Sequence, residues 1–182
     1  MFTNTWHANQ SRFWDIHVKP TNLKSYLEIG SYEGQSAKWV LDTFPESRVT
    51  CIDTWDGEGQ GPLVDENYGD IEGRFKANMS PYGERVKAIK GFSFNALKAL
   101  DETFDVIYID GSHLSKHVLE DAVLSLPLLN PGGLLIFDDY GWNGYKETHK
   151  NPKLAIDVFV SCNRDQLTVL HIGWQVILKK GT

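Results

Sequence analysis

Short apolar runs alternate along the chain with segments of helical periodicity, and this alternation constrains the fold more than any other feature. Four runs predict strands at residues 26–29, 49–52, 104–109 and 134–137, and residues 86–89 predict a weaker fifth strand. Two of the runs are almost continuously apolar, which is typical of strands that are covered on both faces. Strands that alternate with helices form parallel sheets with right-handed crossovers. The pattern predicts an α/β fold with a doubly wound, mostly parallel sheet.

Helices are predicted between these strands and after the last of them. Residues 36–44 place apolar side chains at i, i+3, i+4 and i+7, residues 113–129 stack four apolar side chains, and a last helix lies near 152–162. Residues 167–179 read as two strands that meet around Gly173. Because no helix separates those two strands, one of them is expected to run antiparallel to its neighbour.

Two segments fall outside the alternation. The length of 182 residues predicts one domain over residues 1–182. Residues 1–22 are rich in aromatic side chains and predict an N-terminal arm or lid, with a simple cap on the core or on a dimer partner as the alternative. Residues 54–83 carry six glycines and a short helical pattern around 70–79, and they predict an insertion that serves as a binding lid.

Charge and composition exclude several classes of protein. The 18 basic and 24 acidic side chains give a net charge of −6, which argues against a protein that holds nucleic acid through its phosphates. No apolar run approaches the roughly 18 residues of a membrane span, and the N-terminus does not read as a secretory signal. Two cysteines do not make a disulfide scaffold and fit a reducing compartment. We expect a soluble cytoplasmic protein without a membrane or nucleic-acid partner.

Acidic side chains stand at or near the carboxyl ends of four predicted strands. They are Glu28, Asp53, Asp110, Asp138 and Asp139. The carboxyl ends of parallel strands meet at one edge of the sheet, and ligands bind there. One such Asp often only caps the next helix, but five carboxylates together repel one another unless a cation or a positively charged ligand lies among them. The sequence therefore predicts a binding crevice at this edge.

The turn after the first predicted strand contains two glycines and opens a helix. Gly30 and Gly34 permit a tight turn and close approach of the backbone to a ligand, although a plain turn explains them equally well. Their spacing is not the G-x-G-x-x-G dinucleotide fingerprint, and Glu28 and Glu33 would repel a pyrophosphate. Asp53 is placed to meet ribose hydroxyls. The loop therefore suits a nucleoside that lacks a pyrophosphate.

Three motifs resemble those of class I S-adenosylmethionine-dependent methyltransferases. They are LEIGSYEGQS at 27–36, YIDGSH at 108–113 and PGGLLIFDDY at 131–140, and they stand in the order of that family. The last two narrow the resemblance to a small O-methyltransferase branch that includes macrocin-type sugar methyltransferases and, more distantly, catechol O-methyltransferase. The resemblance covers residues 24–140. It implies a Rossmann-like methyltransferase fold, with a seven-stranded sheet and an antiparallel final strand.

The resemblance also implies a set of cofactor-binding residues for S-adenosylmethionine. Those on the methionine side are Gly30, Ser31, Gly34 and Ser36, with Glu28 beneath them. Those on the adenosine side are Asp53 at the ribose, Trp55 beside the adenine, and Phe92 and Ser93 at the adenine edge. Asp110 is implied in both cofactor and metal binding.

A metal and a base complete the implied site. Asp110, Asp138 and Asp139 match the acids that bind a divalent cation such as Mg²⁺, and His113 matches the general base. In the implied mechanism a hydroxyl oxygen displaces the methyl group from the sulfonium, with the cation stabilising the alkoxide and the imidazole taking the proton. The alternatives are a capping or surface role for His113 and a solvated turn at Asp138 and Asp139.

The acceptor of the methyl group is left open by the sequence. A sugar hydroxyl, a catechol-like phenol and a hydroxyl of a secondary metabolite are all compatible small-molecule acceptors. The side chains of Trp6, Trp14 and Trp142 would suit apolar walls, although ordinary packing explains each one singly. The other histidines are interpreted as structural: His7, His17, His117, His149 and His171. Aromatic residues in 1–22 would suit a homodimer contact.

Three other functions compete with methyl transfer. A nicotinamide-dependent reductase is disfavoured by the glycine spacing and by the lack of a Tyr-x-x-x-Lys pair. A non-catalytic nucleoside-binding scaffold has no need of a base beside a metal. An iron-dependent hydroxylase usually requires two histidines and a carboxylate, and only His113 is placed for that role.

Overall fold

The structure, a computed structural model, describes residues 2–3, 6–56 and 69–182, and for residues 6–11 the backbone alone. The strands within these ranges are β1 Ser25–Ile29, β2 Arg48–Asp53, β3 Val86–Lys90, β4 Phe104–Ile109, β5 Leu129–Phe137, β6 Leu167–Ile172 and β7 Val176–Lys180. The helices are α1 Trp6–His17, α2 Gln35–Thr43, α3 Ile71–Met79, α4 Ser93–Ala99, α5 Ser115–Ser125 and α6 Pro152–Cys162. Short 3₁₀ turns lie at Ser80–Arg85, Leu126–Leu128 and Thr148–Lys150.

The seven described strands form one mixed sheet in the order β3-β2-β1-β4-β5-β7-β6. Strands β1 to β5 pair in parallel. Strand β7 pairs antiparallel with both β5 and β6. This arrangement confirms the predicted doubly wound α/β fold with an antiparallel final strand. The order reverses at β1, so the crevice between the ends of β1 and β4 is the point at which such sheets bind ligands.

Helices cover both faces of the sheet, and each face has its own apolar core. On one face, α4, α5 and α6 pack buried residues such as Leu97, Ala122 and Phe159 against the strands. On the other face, α1, α2 and α3 contribute residues such as Val40 and Phe75. This double coverage explains why the central strands read as continuous apolar runs.

Helix α1 occupies most of the segment predicted as an aromatic arm. Trp14 and Val18, at and just beyond its end, are fully buried, and the indole of Trp14 meets the ring of Tyr108 edge-on at a centroid distance of 5.0 Å. Trp14 therefore belongs to the core, as expected from ordinary packing and not from an acceptor wall. The side chains of Trp6 and His7 lie outside the described residues.

Two element boundaries differ from the sequence prediction. The helix predicted over 113–129 spans only Ser115–Ser125, because Pro127 lacks the N–H that a continuing α-helix needs. The strand predicted at 134–137 begins earlier, at Leu129, and contains a bulge where the pairing jumps from Leu129 to Leu134. The short helix α4 was not predicted from the sequence.

The predicted insertion at 54–83 contains the helix expected around 70–79. Helix α3 begins after Asp70, whose side chain accepts the N–H of Gly73 at 2.8 Å, and it buries Ile71, Phe75 and Met79 against the sheet. The expectation of a lid also rests on residues 57–68, which lie outside the described residues. Among the helices that the structure describes, none combines the length and the apolar character required to span a membrane.

Candidate active site

The carboxyl ends of four neighbouring strands form the rim of the candidate site. The ladder continues one residue beyond the strands, because Gly30 N–H donates to Ile52 at 2.8 Å and Asp110 N–H donates to Ile29 at 2.8 Å. Asp138 N–H likewise donates to the carbonyl of Ile109 at 3.0 Å. These bonds fix the backbone at which the acidic side chains leave the sheet.

A cavity of about 350 Å³ opens at this rim between β1, β2 and the helices α4 and α5. Four of the residues predicted to bind the cofactor line it, and they are Gly30, Asp53, Phe92 and Ser93. Ile29 and Ile52 add apolar wall, and the Phe92 side chain is largely exposed. Two carboxylates, those of Asp53 and Glu120, line this otherwise mostly apolar space. A concave, mostly apolar space with a few polar groups is suited to a nucleoside.

Asp53 is held in place by two backbone donors. Its Oδ2 accepts the N–H of Tyr32 and its Oδ1 accepts the N–H of Trp55, each at 2.7 Å. Burial raises the pKa of Asp53, and these two hydrogen bonds oppose that shift. A carboxylate has about four acceptor positions, so Asp53 keeps capacity to accept a further hydrogen bond. This geometry fits a hydroxyl of a ribose.

The other residues predicted on the methionine side lie below the cavity rather than in its lining. Ser31 and Ser36 are buried, and Ser36 Oγ donates to Glu28 at 2.8 Å. Gly34 caps α2 and leaves room for Met79, whose Cε would be 2.9 Å from a Cβ at this position. These residues therefore build the turn that shapes the site.

The sequence places Trp55 beside the adenine, and the structure packs its side chain under α3. Its backbone has φ 52°, which turns the indole beneath α3 onto Phe75 at a centroid distance of 4.7 Å. The indole N–H donates to the carbonyl of Tyr32 at 2.9 Å. Trp55 is 8% exposed and packs in the core, and its contact with adenine stays a prediction.

Glu28 is a buried carboxyl group at the base of the site. It is completely inaccessible and accepts hydrogen bonds from Tyr26 Oη at 3.0 Å and from Ser36 Oγ. Burial raises its pKa from 4.5 to about 8, although these hydrogen bonds oppose the shift. Glu28 is therefore mostly protonated at neutral pH.

The raised pKa of Glu28 predicts a stability that falls as the pH rises. Between pH 4.5 and about 8 the folded chain keeps a proton that the unfolded chain loses, so folding weakens by about 1.4 kcal/mol for each pH unit in that window. The variant Glu28→Gln cannot ionise. We expect its melting temperature to match the parent near pH 4.5 and to exceed it increasingly up to pH 8.5, with the exposed Glu84→Gln as control. A constant difference across this range would contradict a neutral Glu28.

Three half-buried acids and the buried Tyr108 form a cluster at the ends of β4 and β5. The Tyr108 hydroxyl lies 3.0 Å from Asp110 Oδ2 and makes a short hydrogen bond to Asp138 Oδ2. Burial and the charges of Asp138 and Asp139 raise the pKa of Asp110 well above its usual value. Burial and the charge of Asp139 also raise the pKa of Asp138. The structure therefore brings the predicted acids together.

His113 lies against this acid cluster. Its Nε2 is 2.7 Å from Asp139 Oδ2, and its ring stacks on Trp142 at a centroid distance of 4.6 Å. The pairing with Asp139 places a proton on Nε2, which makes Nδ1 the basic nitrogen. Gly111 and Ser112, which precede His113, line the cavity. A proton acceptor thus stands beside the space suited to a nucleoside.

The predicted metal ligands are not arranged as a metal site. Within residues 2–3, 6–56 and 69–182 no group of three or more His, Cys, Asp or Glu side chains could hold a metal ion. Asp110 and Asp138 bond to Tyr108, and Asp139 bonds to His113. The residues as placed do not fit a bound Mg²⁺, and we derive no chemical step through a cation.

Several residues of the site were missed in the sequence. His117 and Glu120 lie three positions apart on α5 and both line the cavity. His117 Nδ1 is 3.1 Å from Ser112 Oγ, and its interpretation as structural stays a prediction. The sequence signal that could have found His117 and Glu120 is their three-residue spacing on a helix that follows the end of a strand. For Gln175, described below, the sequence carried no signal.

Comparisons with known proteins place the chain in a family. The family described as "Methyltransferase domain" matches residues 27–140. The chain is 30% identical over 121 residues to "Uncharacterized protein R132" of Acanthamoeba polyphaga mimivirus, covering 64% of this chain and 51% of that protein. It is 26% identical over 163 residues to "Probable caffeoyl-CoA O-methyltransferase 3" of Dictyostelium discoideum, covering 85% of this chain and 59% of that protein. The matches thus span between half and three-fifths of these relatives.

The fold agrees with that of solved methyltransferases. The O-methyltransferase of Bacillus cereus in complex with SAH superposes with a TM-score of 0.68 at 20% identity, over 96% of this chain and 81% of that one. The resemblance to class I S-adenosylmethionine-dependent methyltransferases is confirmed, whereas the narrower resemblance to macrocin-type and catechol enzymes stays a prediction. The family match covers well over half of the chain. The chain therefore belongs to this methyltransferase domain family.

Proposed function

We propose that the protein transfers a methyl group from S-adenosylmethionine to the hydroxyl of a small molecule. The observation that carries this proposal is the His113–Asp139 pair beside a cavity that contains the Asp53 carboxylate. The names of two similar proteins, an O-methyltransferase in complex with SAH and a caffeoyl-CoA O-methyltransferase, support the same chemistry.

The chain contributes binding, orientation and proton transfer to this reaction. S-adenosylmethionine, when bound, supplies an electrophilic methyl group. Asp53 accepts a hydrogen bond from a ribose hydroxyl, and Phe92 and Ile52 cover the adenine ring. Nδ1 of His113 takes the proton of the acceptor hydroxyl, and Asp139 stabilises the imidazolium that results. Holding the acceptor oxygen in line with the methyl group contributes up to roughly 7–11 kcal/mol in ideal cases.

Replacing Asp53 tests the cofactor side of the proposal. In Asp53→Asn one oxygen becomes an amide nitrogen that cannot accept hydrogen bonds. We expect S-adenosylmethionine to bind about 10–100-fold more weakly, because hydrogen bonds to a charged group contribute about 1.5–3 kcal/mol. Isothermal titration calorimetry measures this change, with the exposed Asp165→Asn as control. Unchanged affinity would place the ribose elsewhere.

Dependence on Mg²⁺ is a separate prediction from the family resemblance. The resemblance predicts that EDTA lowers turnover and that added Mg²⁺ restores it, whereas the acids as the structure places them predict unchanged turnover in EDTA. The resemblance also predicts that Asp139→Ala loses this stimulation while S-adenosylmethionine still binds. Initial rates with and without the chelator measure the effect. Full activity in EDTA would mean that the reaction does not require the cation.

A screen with labelled methyl donor tests the function as a whole. Sugars, catechols and other phenols are the acceptors to offer, with residues 1–22 and 54–83 proposed to select among them. Methyl transfer to one acceptor class supports the proposal. Binding of the donor without any transfer would favour a nucleoside-binding scaffold, and binding of a nicotinamide cofactor alone would favour a reductase. A cytoplasmic location, a homodimer contact and the lack of nucleic-acid and membrane partners remain predictions.

A further inference from the structure

A chain of buried hydrogen bonds joins helix α1 to the acid cluster of the site. The Trp14 indole Nε1–H donates to Gln175 Oε1 at 2.9 Å. The Gln175 Nε2 donates to Asp138 Oδ2 at 2.9 Å and lies 3.3 Å from the Tyr108 hydroxyl. Trp14 and Gln175 are completely inaccessible. The chain of bonds therefore starts in the protein interior and ends at the half-buried Asp138.

The indole determines which way the Gln175 carboxamide faces. An indole N–H only donates, so it must meet the carboxamide oxygen. The NH₂ group is then directed at Asp138, whose carboxylate accepts. In the opposite orientation the carboxamide NH₂ would face the indole N–H of Trp14, and the carboxamide oxygen would face the carboxylate of Asp138. Because a buried polar group without a partner costs about 1–3 kcal/mol, one orientation is strongly preferred.

Asp138 connects the fixed Gln175 carboxamide to His113 through the neighbouring Asp139. Its Oδ2 accepts from Gln175 and Tyr108, and its Oδ1 accepts the backbone N–H of Asp139 at 2.7 Å. Asp139 itself adopts φ 57°, an uncommon conformation that the surroundings must hold in place. From this position Asp139 Oδ2 reaches His113 Nε2 at 2.7 Å. The direction of the Asp139 side chain therefore depends on the Asp138 carboxylate.

We propose that Gln175 is a positioning residue, oriented by Trp14, that holds Asp138 and thereby keeps Asp139 on His113. The inference rests on the proposed function, since it assigns His113 its role as base. Both residues lie outside the matched range 27–140. Helix α1 and the turn before β7 thus supply the support on which the motifs within 27–140 depend.

Two variants and a spectroscopic readout test this proposal. Gln175→Leu keeps the approximate volume and removes every hydrogen bond of the carboxamide. Trp14→Phe keeps an aromatic ring and removes only the indole donor, so it serves if Gln175→Leu does not fold. Gln166→Leu, at an exposed carboxamide bonded to Asn163, is the matched control. Each protein carries ¹⁵N-labelled histidine, and the His113 ring signals are identified by their loss in His113→Gln.

The expected result is a selective effect on His113 and on turnover. At a fixed pH the His113 ring signals shift in both variants while those of the exposed His149 do not, and kcat falls about 10–100-fold with KM for S-adenosylmethionine within twofold of the parent. A purely structural role would lower the melting temperature without this split. Unmoved His113 signals would overturn the proposal. If the parent transfers no methyl group but the signals shift, the positioning role stands and the proposed function fails.

Discussion

Replacing His113 with alanine is expected to lower the turnover rate about 10²–10⁴-fold, the usual contribution of a general base. The acceptor hydroxyl then has no imidazole to take its proton, and Asp139 loses its partner at 2.7 Å. Affinity for S-adenosylmethionine should be unchanged, because His113 does not contribute to the lining of the cavity. Initial rates at saturating donor measure the first quantity and calorimetry measures the second.

The control for this variant is His149→Ala. His149 is exposed and lies in the same part of the chain as Trp142, so it tests whether loss of any nearby imidazole has the same effect. Its rate should equal that of the parent. A rate for His113→Ala within a few-fold of the parent would mean that another group, or water, takes the proton.

The second large effect is expected from Gly30→Ala, which should destabilise the fold by more than about 4 kcal/mol. A Cβ at Gly30 would lie 2.1 Å from the carbonyl oxygen of Asp110 and 2.6 Å from Cα of Gly111. Both atoms belong to the backbone and cannot move away without separating the ends of β1 and β4. Gly30 also adopts φ 87°, which disfavours any side chain.

A matched glycine separates the two causes of this loss. Gly83 also has a positive φ, of 54°, but a Cβ there meets nothing within 4 Å. Gly83→Ala should therefore cost only the left-handed backbone penalty of about 1–2 kcal/mol. Urea unfolding of both variants measures the difference. Equal losses would mean that the close approach at Gly30 contributes nothing.

The sequence predicted the sheet well because its strands carry their own signal. The runs at 104–109 and 134–137 are apolar on both faces, and the structure buries them in the centre of the sheet. Helix α1 was missed because its described buried residues, Trp14 first among them, are sparse within a polar segment. Helix α4 has only seven residues, too few for a clear helical period.

The site divides into contacts that local sequence reveals and contacts that only the fold creates. Asp53 and Asp110 follow strands directly, so their place at the rim could be predicted. The burial of Trp55 depends on a positive φ and on Phe75 of another helix, and neither is visible in a linear motif. Gln175 lies in a turn between two hairpin strands, where a polar residue normally indicates only that the side chain is exposed to solvent.

The bond between Trp14 and Gln175 joins residues that are 161 positions apart. Trp14 emerges from the ribosome well before Gln175. Until β7 has entered between β5 and β6, the indole N–H has no carboxamide oxygen to which it can donate. Closing so long a loop is entropically costly and slow compared with local pairing. We therefore expect a nascent chain to form the nucleoside cavity before it can position His113. During synthesis, the ability to bind the nucleoside would then come before the ability to transfer the methyl group.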